Sequence, residues 1–287
     1  MIGSNILHYL LVASEAGHEA AEHGAGGNGG GHGAEHPELP NFISMIHKIF
    51  PDAGWAKFLD DYHVIIYALL IATILSVIAY LGSRNRKLIP TGLQNGVEAV
   101  VELLSNFLMG IMGPSGKRFI PFLGTMFIYI FAMNLFGLIP GMHSPTSKLN
   151  ITLSMAIVVF LYVQYTGIRM NGLGGYLHHL AGSPKSGVEW AMVPLNLPLH
   201  VIGEFIKPVS LSLRLFGNIS GEDTLIWVFV GLGISTIGFL NLPIGLPLQL
   251  PFIFLAMLTS FVQALVFTLL STIYFTLMFP HEEHAEH

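Results

Sequence analysis

Between Gly203 and Asp223 the chain reads GEFIKPVSLSLRLFGNISGED, which sets Glu204, Lys207, Arg214, Glu222 and Asp223 inside a long hydrophobic run. An arginine at the centre of a lipid-embedded helix costs about 2.5 to 3.5 kcal/mol, so it must face protein or water. At about 100° per residue, Gly203, Lys207, Ser210, Arg214, Gly217 or Asn218, and Gly221 share one side of the helix. Gly217 and Gly221 form a G-x-x-x-G pair, which lets another helix come close. A guanidinium cannot be deprotonated in a protein, so Arg214 is no acid or base. It is a permanent cation that can attract a passing carboxylate and hold it ionised. Glu204 and Glu222 lie eighteen residues apart, five turns and about 27 Å on a straight helix, with His200 one turn before Glu204. Titratable groups on both sides of a fixed cation suggest two separate access paths with a barrier between them. The alternative is a set of intramembrane polar residues that only satisfy one another. Gln263, with Thr259 and Ser260 on the preceding turn, is a weaker polar patch that suits either a channel or interhelical hydrogen bonds.

The elements that carry these residues are membrane helices. The chain of 287 residues is 52% hydrophobic and 10% charged, against about 25% charged in soluble domains. We expect an all-α membrane protein with about five membrane-embedded helices, a long, strongly tilted hairpin among them, and an amphipathic surface helix. Spans are expected at 63–81, 119–139 and 149–168, each near the roughly 20 residues that cross a hydrocarbon core. Two longer apolar blocks, 190–239 and 246–279, exceed one upright span and read as the tilted hairpin. Pro194, Pro198 and Pro208 help to bend the first block. The surface helix is expected at 92–112, with Glu98 and Glu102 on one side and Val97, Val101, Leu104 and Leu108 on the other. Asn171 to Gly187 reads as a Gly-rich loop.

Residues 1–60 read as a disordered or loosely ordered Gly/His/Glu-rich region, 61–280 as a single membrane domain, and 281–287 as a polar tail. The short apolar run at 6–13 has no Lys or Arg before it and is a weak signal-peptide core. The His-rich tract lacks regular ligand spacing, so no metal is expected there. Arg84, Arg86, Lys87, Lys117, Arg118 and Arg169 mark one side as cytoplasmic, which puts the N-terminus outside and the C-terminus inside. No cysteine is present, which excludes a disulfide framework, and a net charge of -5 argues against nucleic acid. GIMGPSGKRF, Gly110 to Phe119, has the wrong glycine spacing for a P-loop, so no nucleotide site and no cofactor are expected.

KPVSLSLRLFGN, Lys207 to Asn218, resembles the signature of subunit a of the rotary F-type ATP synthase. NLFGLIP from Asn134, PTS from Pro145 followed by NITLSMA, and SFVQALVFTLLSTIY around Gln263 share the resemblance and the order. It implies a non-catalytic stator subunit that forms two offset half-channels against a rotor ring of c subunits. Arg214 would face the ring carboxylate, so that flow of H+ or Na+ drives rotation and ATP synthesis. It also implies peripheral-stalk b subunits and the rest of the ATP synthase as partners, in a bilayer that is a bacterial inner membrane. Asn218 and Gln263 match polar positions near the Arg, and Ser210 lies on its face. The family's half-channel position nine after the Arg is Asp223, whereas helical geometry puts Glu222 nearer to Arg214, and both stay open. Where relatives carry an acid fourteen before the Arg this chain has His200, and Glu204 one turn later can serve. A secondary transporter binding an anion at Arg214 is the competing reading, but no internal repeat supports it. A purely structural scaffold is the third.

Overall fold

The computed structural model describes Ile43 and residues 54–84, 92–182, 187–238 and 248–279. The Gly/His/Glu-rich tract, the apolar run at 6–13 and the tail 281–287 lie outside the described residues. Helix α1 spans Gly54–Asp61, α2 His63–Arg84, α3 Leu93–Met112, α4 Ile120–Gly137, α5 Leu149–Leu180, α6 Gly187–Gly238 and α7 Leu250–Leu277. Short 3-10 turns at Pro114–Phe119 and Pro145–Ser147 precede α4 and α5. Among the described residues there is no strand. Four helical stretches, His63–Arg84, Pro114–Gly137, Leu149–Tyr176 and Leu250–Leu277, are long and apolar enough to cross a membrane. The chain is an all-α membrane protein.

The mostly apolar α4 supplies the centre of the core. Leu123, Ile130 and Met133 are fully buried, as expected of a helix hydrophobic all round that is enclosed by others. Phe119, Phe122, Tyr162 and Phe275 stack edge-on or tilted at 4.6 to 6.1 Å and tie the start of α4 to α5 and α7. Each such aromatic pair adds about 0.5 to 1.5 kcal/mol beyond its buried area. Hydroxyls on the spans return to their own helix: Thr73 to the Leu69 carbonyl, Ser76 to Ala72 and Thr125 to Pro121. With no water in a hydrocarbon core, that local bond is how a lipid-facing hydroxyl is satisfied. In α3, Leu104 and Leu108 are buried while Glu98 and Glu102 are exposed, as amphipathic spacing requires.

Two boundaries differ from expectation. Residues 54–60 are helical, not loosely ordered, and Phe58 at the end of that turn packs on Tyr62 with ring centroids 4.8 Å apart. Helix continues to Leu180 where a Gly-rich loop is expected from Asn171. The physical reason is a single residue: Gly172 adopts φ 70° and ψ 167°, a conformation open to glycine, and the chain kinks there and resumes helix. Asn171 Nδ2 donates to the Met278 carbonyl at 2.9 Å and holds the kink to the end of α7. Helix α6 has 52 residues, about 78 Å if straight, against a hydrocarbon core of about 30 Å.

Candidate functional site

The central part of α6 has two sides. Leu211, Leu215, Ile219 and Ile226 recur at helical spacing and are buried against the core. Ser210, Leu213, Arg214, Gly217, Asn218 and Gly221 are exposed. Among the described residues Arg214 has no ion pair. A Cβ built on Gly217 or Gly221 would meet nothing within 4 Å. Packing among the described residues therefore does not require these glycines.

Helix α7 runs antiparallel along one edge of this face. Lys207 Nζ lies 5.3 Å from the centre of the Tyr274 ring, Asn218 Nδ2 donates to Gln263 Oε1 at 2.7 Å, and Phe229 stacks on Phe252 at 3.9 Å. Each contact further along α6 meets a residue equally earlier on α7, so a single register holds over six turns. Glu222 falls on this register opposite Thr259, whose hydroxyl donates to the Leu255 carbonyl of its own helix at 3.0 Å. Gln263 is only 4% exposed, and a buried amide in a membrane helix needs such a partner. The polar patch on α7 thus meets Asn218 and Glu222, four residues apart on α6, in two consecutive rungs.

Glu204 and Lys207 sit apart from the exposed stripe. Lys207 Nζ donates to Glu204 Oε1 in an i, i+3 ion pair. Gln164 Nε2 on α5 donates to Glu204 Oε2 at 3.1 Å, and the Tyr176 hydroxyl donates to Gln164 Oε1 at 2.6 Å. On a straight helix Glu204 and Glu222 would share one angular position. Here Glu204 meets Gln164 of α5, while Glu222 lies on the α7 register. His200 is exposed, its Nδ1 3.0 Å from the Asn196 carbonyl. Asp223 is partly exposed, with Oδ2 buried. The structure thus brings together Asn218 with Gln263, and Glu204 with Lys207, while Ser210, Arg214, Gly217 and Gly221 share the open side. Gln164 and Tyr176 are additions to the expected set. The signal for Gln164 is present in ITLSMAIVVFLYVQYTG, where it is the only carboxamide.

A second polar cluster closes the turn between α4 and α5. Asn134 Nδ2 donates to the Ser260 carbonyl at 3.3 Å, Thr146 Oγ1 donates to Asn134 Oδ1 at 2.6 Å, and Ser144 Oγ lies 2.7 Å from Thr146 Oγ1. Ser147 Oγ lies 2.7 Å from His143 Nε2. All six residues are buried. Among the described residues no group of three or more His, Cys, Asp or Glu could hold a metal ion.

The family model described as "ATP synthase A chain" matches residues 64–276, which contain every helix from α2 to α7 except the outermost residues of α2 and α7. The chain is 52% identical over 241 residues to ATP synthase subunit a of Protochlamydia amoebophila, covering 84% of this chain and 89% of the relative. It is 35% identical over 242 residues to ATP synthase subunit a of Solidesulfovibrio magneticus, covering 82% and 94%. It is 38% identical over 212 residues to that of Trichlorobacter lovleyi, covering 74% and 85%. With a matched region that holds Arg214, Asn218 and Gln263 alike, the chain belongs to the ATP synthase A chain family, the subunit a of F-type ATP synthases.

Proposed function

We propose that this chain is the stator of the ion-driven rotor, with Arg214 facing the carboxylate of each rotor-ring subunit as it passes. The observation that carries the reading is the state of Arg214: exposed on α6, without an ion pair among the described residues, beside two glycines that leave room for another helix. A permanent cation on a face open to lipid is costly, and an incoming carboxylate offsets that cost. In a medium of low dielectric the attraction favours the ionised carboxylate, so a proton leaves the ring as it reaches Arg214. Because the guanidinium cannot take that proton, the ion cannot pass straight from one path to the other.

The two half-channels lie on either side of Arg214. Glu222, Asp223, Asn218 and Gln263 line one, and Glu204, Lys207 and His200 line the other, with Ser210 on the shared open face. Glu222 and Asp223 divide the work of the first by their surroundings, Glu222 opening toward α7 and Asp223 inward. The chain is non-catalytic, and nucleotide chemistry belongs to other subunits. One charge falling through 100 mV releases about 2.3 kcal/mol, so several ions must cross for each phosphoanhydride bond made. A rotating ring, b subunits as a peripheral stalk and a bacterial inner membrane, with the N-terminus outside, complete the assignment.

Replacing Arg214 by Ala in complexes reconstituted into vesicles tests it. Ion-driven ATP synthesis is expected to fall more than about 100-fold, the scale of removing a preorganised charge from a low-dielectric site. Retained synthesis in R214A would reject the assignment. Arg214→Lys keeps a charge but loses the planar fork, and is expected to lie between the two.

A further inference from the structure

We infer that Gln164 and Tyr176 are positioning residues for the Glu204 carboxylate, and that they fix which of its two oxygens exchanges the ion. The inference rests on the half-channel role of Glu204 given above. Oε1 of Glu204 is covered by the Lys207 ammonium, while Oε2 receives Gln164 Nε2 at 3.1 Å. An ionised carboxylate only accepts hydrogen bonds, so Gln164 must turn its NH2 toward Glu204 and its carbonyl away. The Tyr176 hydroxyl, 2.6 Å from Gln164 Oε1, donates to that carbonyl and locks the amide in this sense. The direction of the whole chain, tyrosine to glutamine to glutamate, follows from the charge at its end.

Loss of that charge reverses the requirement. A protonated Glu204 carries its proton on Oε2, because Lys207 occupies Oε1, and the new O–H needs an acceptor. Rotation of the Gln164 amide supplies one: Oε1 turns to Glu204 and Nε2 turns to the Tyr176 oxygen, which then accepts. An amide and a phenol thus allow both states of one carboxylate without carrying the proton themselves. Gln164 is a neutral amide and orients only; the proton arrives at and leaves from Oε2 by way of the aqueous path.

The other titratable groups around Glu204 are few. Lys207 comes from α6 itself, Tyr176 from the end of α5, and Tyr274 from α7, its ring centre 5.3 Å from Lys207 Nζ. His200 is one turn earlier on α6 and exposed. Val159, Phe160, Val163 and Leu211 supply the apolar wall. The Tyr176 ring is itself held, since a Cβ on Gly167 would come within 3.3 Å of it. Gln164 thus reaches Oε2 of the carboxylate, and Tyr176 acts on it through Gln164.

The test is ATP-driven acidification of vesicles that contain the assembled complex, with Gln164→Leu, Tyr176→Phe, Glu204→Gln and their doubles. Tyr176→Phe removes one oxygen and keeps the ring. We expect Q164L and Y176F each to slow pumping roughly two- to tenfold, the range for one lost hydrogen bond. The Q164L/Y176F double should be no slower than Q164L, because the tyrosine acts through the amide, and Y176F should have no further effect in E204Q. The pH midpoint of pumping should move by the same amount in both single variants. Effects that multiply in the double, or full pumping rate and an unmoved midpoint in Y176F, would overturn the inference even if E204Q is slow. A fast E204Q would instead remove Glu204 from the ion path, while the Arg214 assignment is judged by R214A alone. Should Q164L fail to assemble, the isosteric Y176F alone and in E204Q decides the matter.

Discussion

Two polar regions of this membrane chain answer the cost of polarity in opposite ways. In the knot of Asn134, Ser144, Thr146, Ser147 and His143 all five residues are buried and lie in one hydrogen-bonded cluster. Along α6, Ser210, Arg214, Gly217 and Gly221 are exposed, and Arg214 has no ion pair among the described residues. The glycines make the same contrast. A Cβ on Gly137 would sit 2.5 Å from Ser144 Cβ, whereas one on Gly217 or Gly221 meets no described residue within 4 Å. A sealed polar cluster fixes the fold, and an open one with unfilled glycines asks for a second surface. In the proposed function that second surface is the rotor ring.

The contrast can be broken most forcefully at Gly217. Leucine there raises helix propensity by roughly 0.8 kcal/mol and its Cβ meets no described residue within 4 Å, so the chain's stability should hold. In the assembled complex the added side chain blocks close approach, and ATP synthesis by vesicles should fall more than about tenfold, the equivalent of at least 1.4 kcal/mol. Unchanged synthesis in G217L would mean that the face is not used. The knot should behave the other way. Thr146→Val leaves Asn134 Oδ1 without its donor and is expected to lower stability by about 1 to 3 kcal/mol, read as a lower thermal midpoint of the detergent-solubilised complex. Gly137→Ala should cost a similar amount, roughly 1 to 3 kcal/mol by overpacking against Ser144. Complexes that do assemble with either change should still synthesise ATP. The smallest effect sharpens the half-channel assignment: Glu222→Gln is expected to slow proton pumping severalfold more than Asp223→Asn, because Glu222 is the one of the pair that meets α7. Equal rates in both variants would remove that distinction.

Much of this architecture is legible in the amino-acid sequence. Helices occupy 63–84 and 120–137 because long apolar runs in a membrane chain admit little else, and 93–112 because its apolar residues recur at helical spacing. Gly217 and Gly221 on the face of Arg214 follow from spacing alone. The continuation of α5 past Asn171 is hidden because Gly172, Gly174 and Gly175 read as a loop, while Tyr176 closing back on Gln164 and Asn171 bonding Met278 are tertiary contacts. Lys207 is expected on the open stripe, yet its four-carbon stem turns it to Glu204. No helical wheel reports where a long side chain swings. Glu204 and Glu222 share an angle on a straight helix, but the neighbour each one meets is a property of the bundle.

The central claim is that the open side of α6 is the surface that meets the rotor, and disulfide trapping tests it directly. The chain has no cysteine of its own, so single cysteines introduced at Ser210, Gly217, Leu211 or Leu215 are the only ones it carries. Paired with a cysteine beside the ring carboxylate in the assembled complex, Ser210→Cys and Gly217→Cys should cross-link rapidly under mild oxidation. Leu211→Cys and Leu215→Cys, on the buried side, should not. Cross-links from the buried pair, or none from the exposed pair in a complex that synthesises ATP, would contradict the account.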